Sequence, residues 1–260
     1  MIDVLAAEWW KLKTVRSTGW ILAIVAGCVG LACLLAWYAV VTWDGLSAER
    51  RGEFGLAPLP AITVELTSMC LAVLGVLAVT SEYSSGLIRT TLTVVPKRRS
   101  VLFAKACVVT VVAFLIGLVA VCATSLVGRL IIDGRPIRGQ WSTTFSEELP
   151  LLLAMSLVVT VFALVGLGLG TLMRSAAGAI ATVVALWYVV PMIAVNLPAP
   201  WNARIGSLML GSLAGQLAGT GNDNSVYGAE LSPLGALSVM LGYVVLALGA
   251  GAIRLSRKDV

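Results

Sequence analysis

The sequence predicts an all-α polytopic membrane protein with six transmembrane helices, and three observations carry that expectation. Hydrophobic residues make up 59% of the 260 and charged residues 12%, where a soluble domain draws about a quarter of its residues from Asp, Glu, Lys and Arg. Apolar runs of the length a helix needs to cross about 30 Å of hydrocarbon recur along the chain. Within six such runs, at 19–41, 61–80, 101–127, 149–173, 176–197 and 233–253, only Glu65 and Lys105 carry an ionisable Asp, Glu, Lys or Arg side chain. Long unbroken apolar segments of this kind satisfy their backbone internally only as helices. The chain reads as one transmembrane domain over residues 1–260.

Residues 1–18 come first. Ile2, Leu5, Ala6, Trp9 and Leu12 share one helical face, while Asp3, Glu8 and Lys11 point away from it, the pattern of a helix lying in the membrane interface. A basic leader that serves only topology is the alternative. Lys13 and Arg16 fall on the apolar side if the helix continues, so a bend is expected near Thr14. Val25-Ala26-Gly27-Cys28 has the look of a lipoprotein cleavage box, but the apolar run continues through Val41 and is long enough to remain as the first span.

The second span, 61–80, carries Glu65 about one turn inside its end. A carboxylate at that depth reads as snorkelling to the headgroups, with contact to a transported substrate as the alternative. Lys105, one turn inside the third span, is read the same way. Between them, residues 81–100 place Ile88, Thr91, Leu92 and Val95 at helical spacing before Pro96, and Lys97, Arg98 and Arg99 follow. That predicts a short amphipathic helix with basic residues at the headgroups. The fourth and fifth spans are separated by Arg174-Ser175 alone. The 35-residue segment 198–232 contains an apolar stretch, Ile205 to Leu217, too short to span. It predicts short re-entrant helices, with Ser207, Ser212 and Gln216 diluting their apolar character. Gly211-x-x-x-Gly215-x-x-x-Gly219 and Gly166-x-x-x-Gly170 permit close helix contact, but in a chain with 26 glycines they are read as chance.

Positive charge sets the expected orientation. Lys11, Lys13, Arg16, Arg89, Lys97, Arg98, Arg99, Lys105, Arg174, Arg254, Arg257 and Lys258 fall on the side of the N-terminus, which makes twelve of the eighteen Lys and Arg. Both termini are expected to be cytoplasmic. Trp20, Trp43, Trp141 and Trp201 mark span ends at the interface. The net charge of +5 follows from this topology and implies no nucleic-acid partner.

Several chemistries are excluded. With no histidine, the chain assembles no His-based triad, zincin site or haem ligand. Cys28, Cys33, Cys70, Cys107 and Cys122 lie in apolar stretches without metal-ligand spacing and read as small buried hydrophobes. No phosphate-binding G-x-x-x-x-G-K-[S/T] loop occurs. The chain is therefore expected to be a non-enzyme with no cofactor of its own.

The run Glu82-Tyr83-x-x-Gly86-x-x-Arg89-x-x-Leu92-x-x-x-Pro96, followed by basic residues and Lys105, resembles the inner-loop signature of type-2 ABC exporter permeases. The amphipathic start, the six spans, the near-loopless turn at Arg174-Ser175 and the long segment before the last span agree with that family. The resemblance implies a bacterial cytoplasmic-membrane permease that moves a substrate outward. ATP and Mg would sit on two separate ATPase subunits, and a second permease copy or paralogue would complete the complex within membrane lipid. It also implies that loop 81–100 holds the coupling helix that docks on the ATPase, with Glu82, Gly86, Ile88, Arg89, Leu92 and Val95 in that role. Leu87-Ile88 and Pro96-Lys97-Arg98-Arg99 depart from the usual Thr-Ile and Pro-Val-Ser-Arg-like runs. An ion-coupled carrier or channel, and a non-transporting immunity or sensor protein, are the competing readings.

Overall fold

A computed structural model describes residues 2–87, 98–141, 143–220 and 231–257. Among them, six helices are long and apolar enough to cross a membrane. They are α2 (Arg16–Gly45), α4 (Leu59–Ser85), α5 (Arg98–Ile132), α6 (Phe145–Met173), α7 (Ala176–Val195) and α10 (Pro233–Arg257). The shorter helices are α1 (Ile2–Thr14), α3 (Ala48–Arg51), α8 (Trp201–Leu208) and α9 (Leu210–Ala218). No strand occurs among the described residues, and the architecture is all-α.

Helix α6 is the axis of the bundle. Nearly every side chain from Val158 to Leu167 is buried, because α4, α5, α7, α9 and α10 all pack on it. On one side Leu71, Leu74, Val109, Val121, Leu152, Val159 and Leu167 form a core shared with α4 and α5. On the other, Phe162 and Val165 meet Val183 of α7, Leu213 of α9 and Met240 of α10. The Phe162 ring stands edge-on to Trp187, with centroids 4.3 Å apart, the geometry aromatic quadrupoles favour.

The tightest contact lies between α4 and α6, and it depends on glycine. A Cβ built on Gly75 would come 2.0 Å from the carbonyl oxygen of Ala163, and one on Gly166 would come 2.2 Å from that of Ala72. Gly170 of α6 lies against Val76 and Val79 of α4, and Gly168 meets the backbone of Ala247 on α10. The Gly166-x-x-x-Gly170 spacing, read from sequence as chance, is thus an interface in the folded chain. No such contact forms at Gly211, which has open space around it, or at Gly219, which caps α9 with a φ of 68°.

The helix ends have local causes. α1 stops at Thr14, whose hydroxyl folds back to the Trp10 and Lys11 carbonyls, and Val15 is extended before α2 begins. The expected bend near Thr14 is therefore a full break. Thr144 and Glu147 form a reciprocal capping box at the start of α6. In α7 the turn Ala185–Val189 widens to a π turn, with the Val190 N–H reaching the Ala185 carbonyl. Pro191 follows at once. Lacking an N–H, it cannot bond the carbonyl four residues back, and the wider turn accommodates it.

Helices α8 and α9 form a hairpin hinged at Met209, which is extended. Here Ser207, Ser212 and Gln216 do more than dilute apolarity. The Ser212 hydroxyl donates to the Gly206 carbonyl, and the Gln216 amide donates to the carbonyls of Ser207 at 2.8 Å and Ser212 at 3.2 Å. The Gln216 side-chain oxygen in turn accepts the Leu231 N–H. Backbone groups freed by the break are thereby satisfied inside the protein, the condition for non-spanning helices at membrane depth.

We expect Gly166→Leu to force α4 and α6 apart. Overpacking of a tight core costs about 1–3 kcal/mol, occasionally more, so thermal unfolding in detergent should drop by several degrees or folded protein should fail to accumulate. Gly211→Ala, into open space on a helix, should leave the melting temperature unchanged or slightly raised.

Candidate functional site

Four charged side chains from three helices converge at the end of the bundle that carries α1. Lys105 enters from the first turns of α5, Glu82 from the last turn of α4, and Glu8 and Lys11 from α1. The Lys105 ammonium donates to Glu8 Oε2 at 2.5 Å, to Glu82 Oε1 at 2.8 Å and to the Ala78 carbonyl at 3.2 Å. Lys11 donates to Glu8 Oε1 at 2.8 Å and to Glu82 Oε1 at 2.9 Å. Glu8, Glu82 and Lys105 are 3%, 5% and 4% exposed.

This arrangement corrects the reading of Lys105. It does not snorkel to headgroups: it is buried, with all three of its donor directions used. Each ion alone would be expensive to bury, but two cations and two anions in mutual contact sum to zero charge and satisfy one another. The orientation of α1 explains how Glu8 gets there. Its polar side, with Glu8 and Lys11, turns into the bundle, while Trp9 and Trp10 stand exposed. Burial pulls the Lys11 pKa down, but its bonds and charge attraction to Glu8 and Glu82 outweigh this and hold it above its ordinary value. The stability these contacts lend is therefore present at neutral pH, and is lost only as pH rises through that elevated value.

The cluster sits beside the segment assigned to coupling. Glu82 belongs to α4 and not to a loop beginning at residue 81, since that helix continues to Ser85. Gly86 then ends it with a φ of 73°, a backbone state glycine adopts without steric cost. Ile88, Arg89, Leu92 and Val95 lie outside the described residues, as does the expected amphipathic helix. α5 resumes at Arg98, and Lys105 follows two turns later. The segment between α4 and α5 thus starts beside one member of the cluster and ends two turns before another. A cavity of about 240 Å³ opens alongside, between α1, α2 and α4, with Leu12, Leu74 and Leu77 as apolar wall and Glu82 and Lys105 at its polar side. Glu82 Oε2 is buried there without a hydrogen-bond partner among the described residues.

At the opposite end a third buried carboxylate, Glu148, accepts from the Ser125 hydroxyl at 2.5 Å, from Arg129 at 2.8 Å and from the Trp141 indole at 2.8 Å. The Arg129 guanidinium also lies 5.1 Å from the Trp141 ring centroid. These contacts tie the start of α6 to the end of α5. Asp44 and Arg135 pair at 3.0 Å and join the end of α2 to the same loop. Glu65 is exposed on α4, two residues beyond Thr63, which bonds Thr124 of α5 at 3.0 Å. It is not brought together with the charged cluster.

Glu8 and Lys105 stand 97 residues apart in sequence, and only the rarity of a lysine inside an apolar run marked that position beforehand. Lys105→Met should destabilise the protein by about 3–5 kcal/mol, because two buried carboxylates lose their shared cation. Adding Glu8→Leu and Glu82→Leu should recover much of the loss. Chemical unfolding in detergent reads both, and equal stability of the single variant and the parent would contradict the assignment.

Comparison with known families places the chain. A family model described as ABC-2 family transporter protein matches residues 4–192, from α1 through most of α7, and no curated protein matches the chain. The matched region spans more than half of the sequence and contains the whole cluster together with the segment between α4 and α5. This multi-pass membrane chain belongs to the ABC-2 transporter family.

Proposed function

We propose that the chain is the membrane subunit of a bacterial ABC exporter, driven by ATP hydrolysed on two separate ATPase subunits and paired with a second permease copy or paralogue. Both termini lie in the cytoplasm, and the segment between α4 and α5 is the docking element. The observation that carries the reading is the buried cluster of Glu8, Lys11, Glu82 and Lys105. It joins α1, α4 and α5 at the two roots of that segment. A push from the ATPase arrives at a junction that cannot shear without separating buried charges, so it moves three helices together. α4 then passes the displacement to α6 through the glycine contact at Gly75 and Gly166. ATP and Mg act on the partner, and this chain contributes the mechanical path.

Within the docking segment Ile88, Leu92 and Val95 fill an apolar groove of the ATPase, and Arg89 pairs with a carboxylate at its rim. Truncating a buried interface anchor costs about 2 kcal/mol or more, a rim charge less than about 1 kcal/mol. Leu92→Asp should abolish copurification of the ATPase while membrane insertion is kept, and Arg89→Ala should weaken it less. Full ATPase retention by Leu92→Asp would remove the coupling role and favour the carrier reading.

Orientation has its own test. In a cysteine-free background, a cysteine at Ser146 should react with an impermeant maleimide in intact cells and one at Ser100 should not; the reverse pattern inverts the topology. Glu65, exposed on α4, is assigned no essential role. Glu65→Gln should leave substrate-stimulated ATPase activity normal, and a fall at unchanged expression would make it a pathway residue.

A further inference from the structure

Arg174 occupies the two-residue turn between α6 and α7 with a φ of 54°, left-handed backbone that an arginine adopts at a cost and a glycine would adopt freely. Its side chain turns back over α4, with Cζ 5.2 Å from the Tyr83 ring centroid. Two of its nitrogens, Nε and Nη2, are buried and make no hydrogen bond, and neither does the buried Tyr83 hydroxyl. Orphaned buried donors of this kind are rare in folded proteins, because each forfeits its water without replacement. Arg174 and Tyr83 both line one cavity of about 330 Å³, walled by Leu77, Thr80, Ser81, Ser84 and Ala176 as well.

The chemistry of that cavity selects an anion. The Thr80, Ser81 and Ser84 hydroxyls already donate to backbone carbonyls of α4, so the donors left for a ligand are the Arg174 fork and the Tyr83 phenol, which otherwise interact with each other. The nearest carboxylate on that helix, Glu82, is neutralised by Lys11 and Lys105. Arg254 of α10 adds a second positive charge near Tyr83, and the first turn of α7 presents its helix N-terminus beside Ala176. Nε and Nη2 of one guanidinium match two oxygens of an oxyanion, and a phenol arriving from another direction matches a third. A phosphodiester offers two anionic oxygens to the fork and an ester oxygen to the phenol, where a carboxylate has two oxygens in all.

We propose that the cleft between Arg174 and Tyr83 is a phosphate-binding site that holds the headgroup of an anionic phospholipid. The lipid source follows from position. α6 ends at Met173 and α7 begins at Ala176, so the cleft stands where two apolar spans stop, at headgroup level. A zwitterionic headgroup would bring its own cation towards Arg174 and Arg254, and phosphatidylglycerol would not. The inference does not depend on the transport reading.

The test is native mass spectrometry of the full chain, delipidated in mild detergent and titrated with phosphatidylglycerol, phosphatidylcholine or inorganic phosphate. Arg174→Gly suits the left-handed backbone, so it should fold as well as the parent by thermal unfolding while losing the guanidinium. The parent should bind one phosphatidylglycerol roughly tenfold more tightly than Arg174→Gly does, with Tyr83→Phe intermediate and phosphatidylcholine bound weakly by all three. Displacement of the lipid by inorganic phosphate at equal affinity would keep the anion site and assign it to free phosphate, overturning the lipid source. Equal phosphatidylglycerol binding by parent and Arg174→Gly overturns the site. So does unchanged lipid binding with loss of a copurifying protein, which would make Arg174 a contact for a partner's carboxylate.

Discussion

Charge neutrality in a place without water is the constraint on which the rest of this structure depends. Lys105 is carried into the bundle by an otherwise apolar helix, and it has nowhere to discharge its cost except onto Glu8 and Glu82. Each carboxylate in turn needs its cation, and Lys11 supplies the second. Such a group gains little stability over an apolar core of the same shape, but removal of any one member leaves an uncompensated buried charge. Its consequence is geometric: α1, α4 and α5 hold one relative position or the whole cluster fails. That is a costly way to make a core and an effective way to make a junction.

What the junction is attached to matters as much as the junction. α4 runs from Glu82 to the opposite end of the bundle, and along its length it lies against α6 with backbone almost touching backbone at Gly75 and Gly166. Packed interfaces of this kind move as units and do not flex gradually. At the far end, Glu148 with Ser125, Arg129 and Trp141 fixes α6 to α5. The central three helices are thus pinned by buried carboxylates at both ends and by close packing between. α2, α7 and α10 bury much less of themselves than α4 and α6 do and present long apolar faces.

The two levels of the structure were unequally legible in the sequence. Spans announce themselves through run length and hydropathy, so the all-α, six-helix character follows from local composition. The bend expected near Thr14 has a local cause as well, whereas the end of α4 at Gly86 lies beyond the boundary at residue 80 that hydropathy set. Pairings across the fold do not. Nothing near Glu8 in sequence indicates Lys105, and on a helical wheel Glu8 simply faces away from the apolar side. Gly75 carries no motif, and the spacing of Gly166 and Gly170 has meaning only once Ala72 and Val76 are set against it. The role of Gln216 was hidden for the same reason, since its partners are backbone groups exposed by a break at Met209 that no side-chain pattern specifies.

If the four charges make α1, α4 and α5 one rigid body, they fix the distance between any two of these helices. Spin labels at Trp10 on α1 and Phe103 on α5, both exposed, can be measured by pulsed electron resonance with the chain in lipid nanodiscs. The parent should show a single narrow distance that broadens or splits when Lys105→Met removes the shared cation. A distribution equally narrow and equally placed in both proteins would contradict the rigid body.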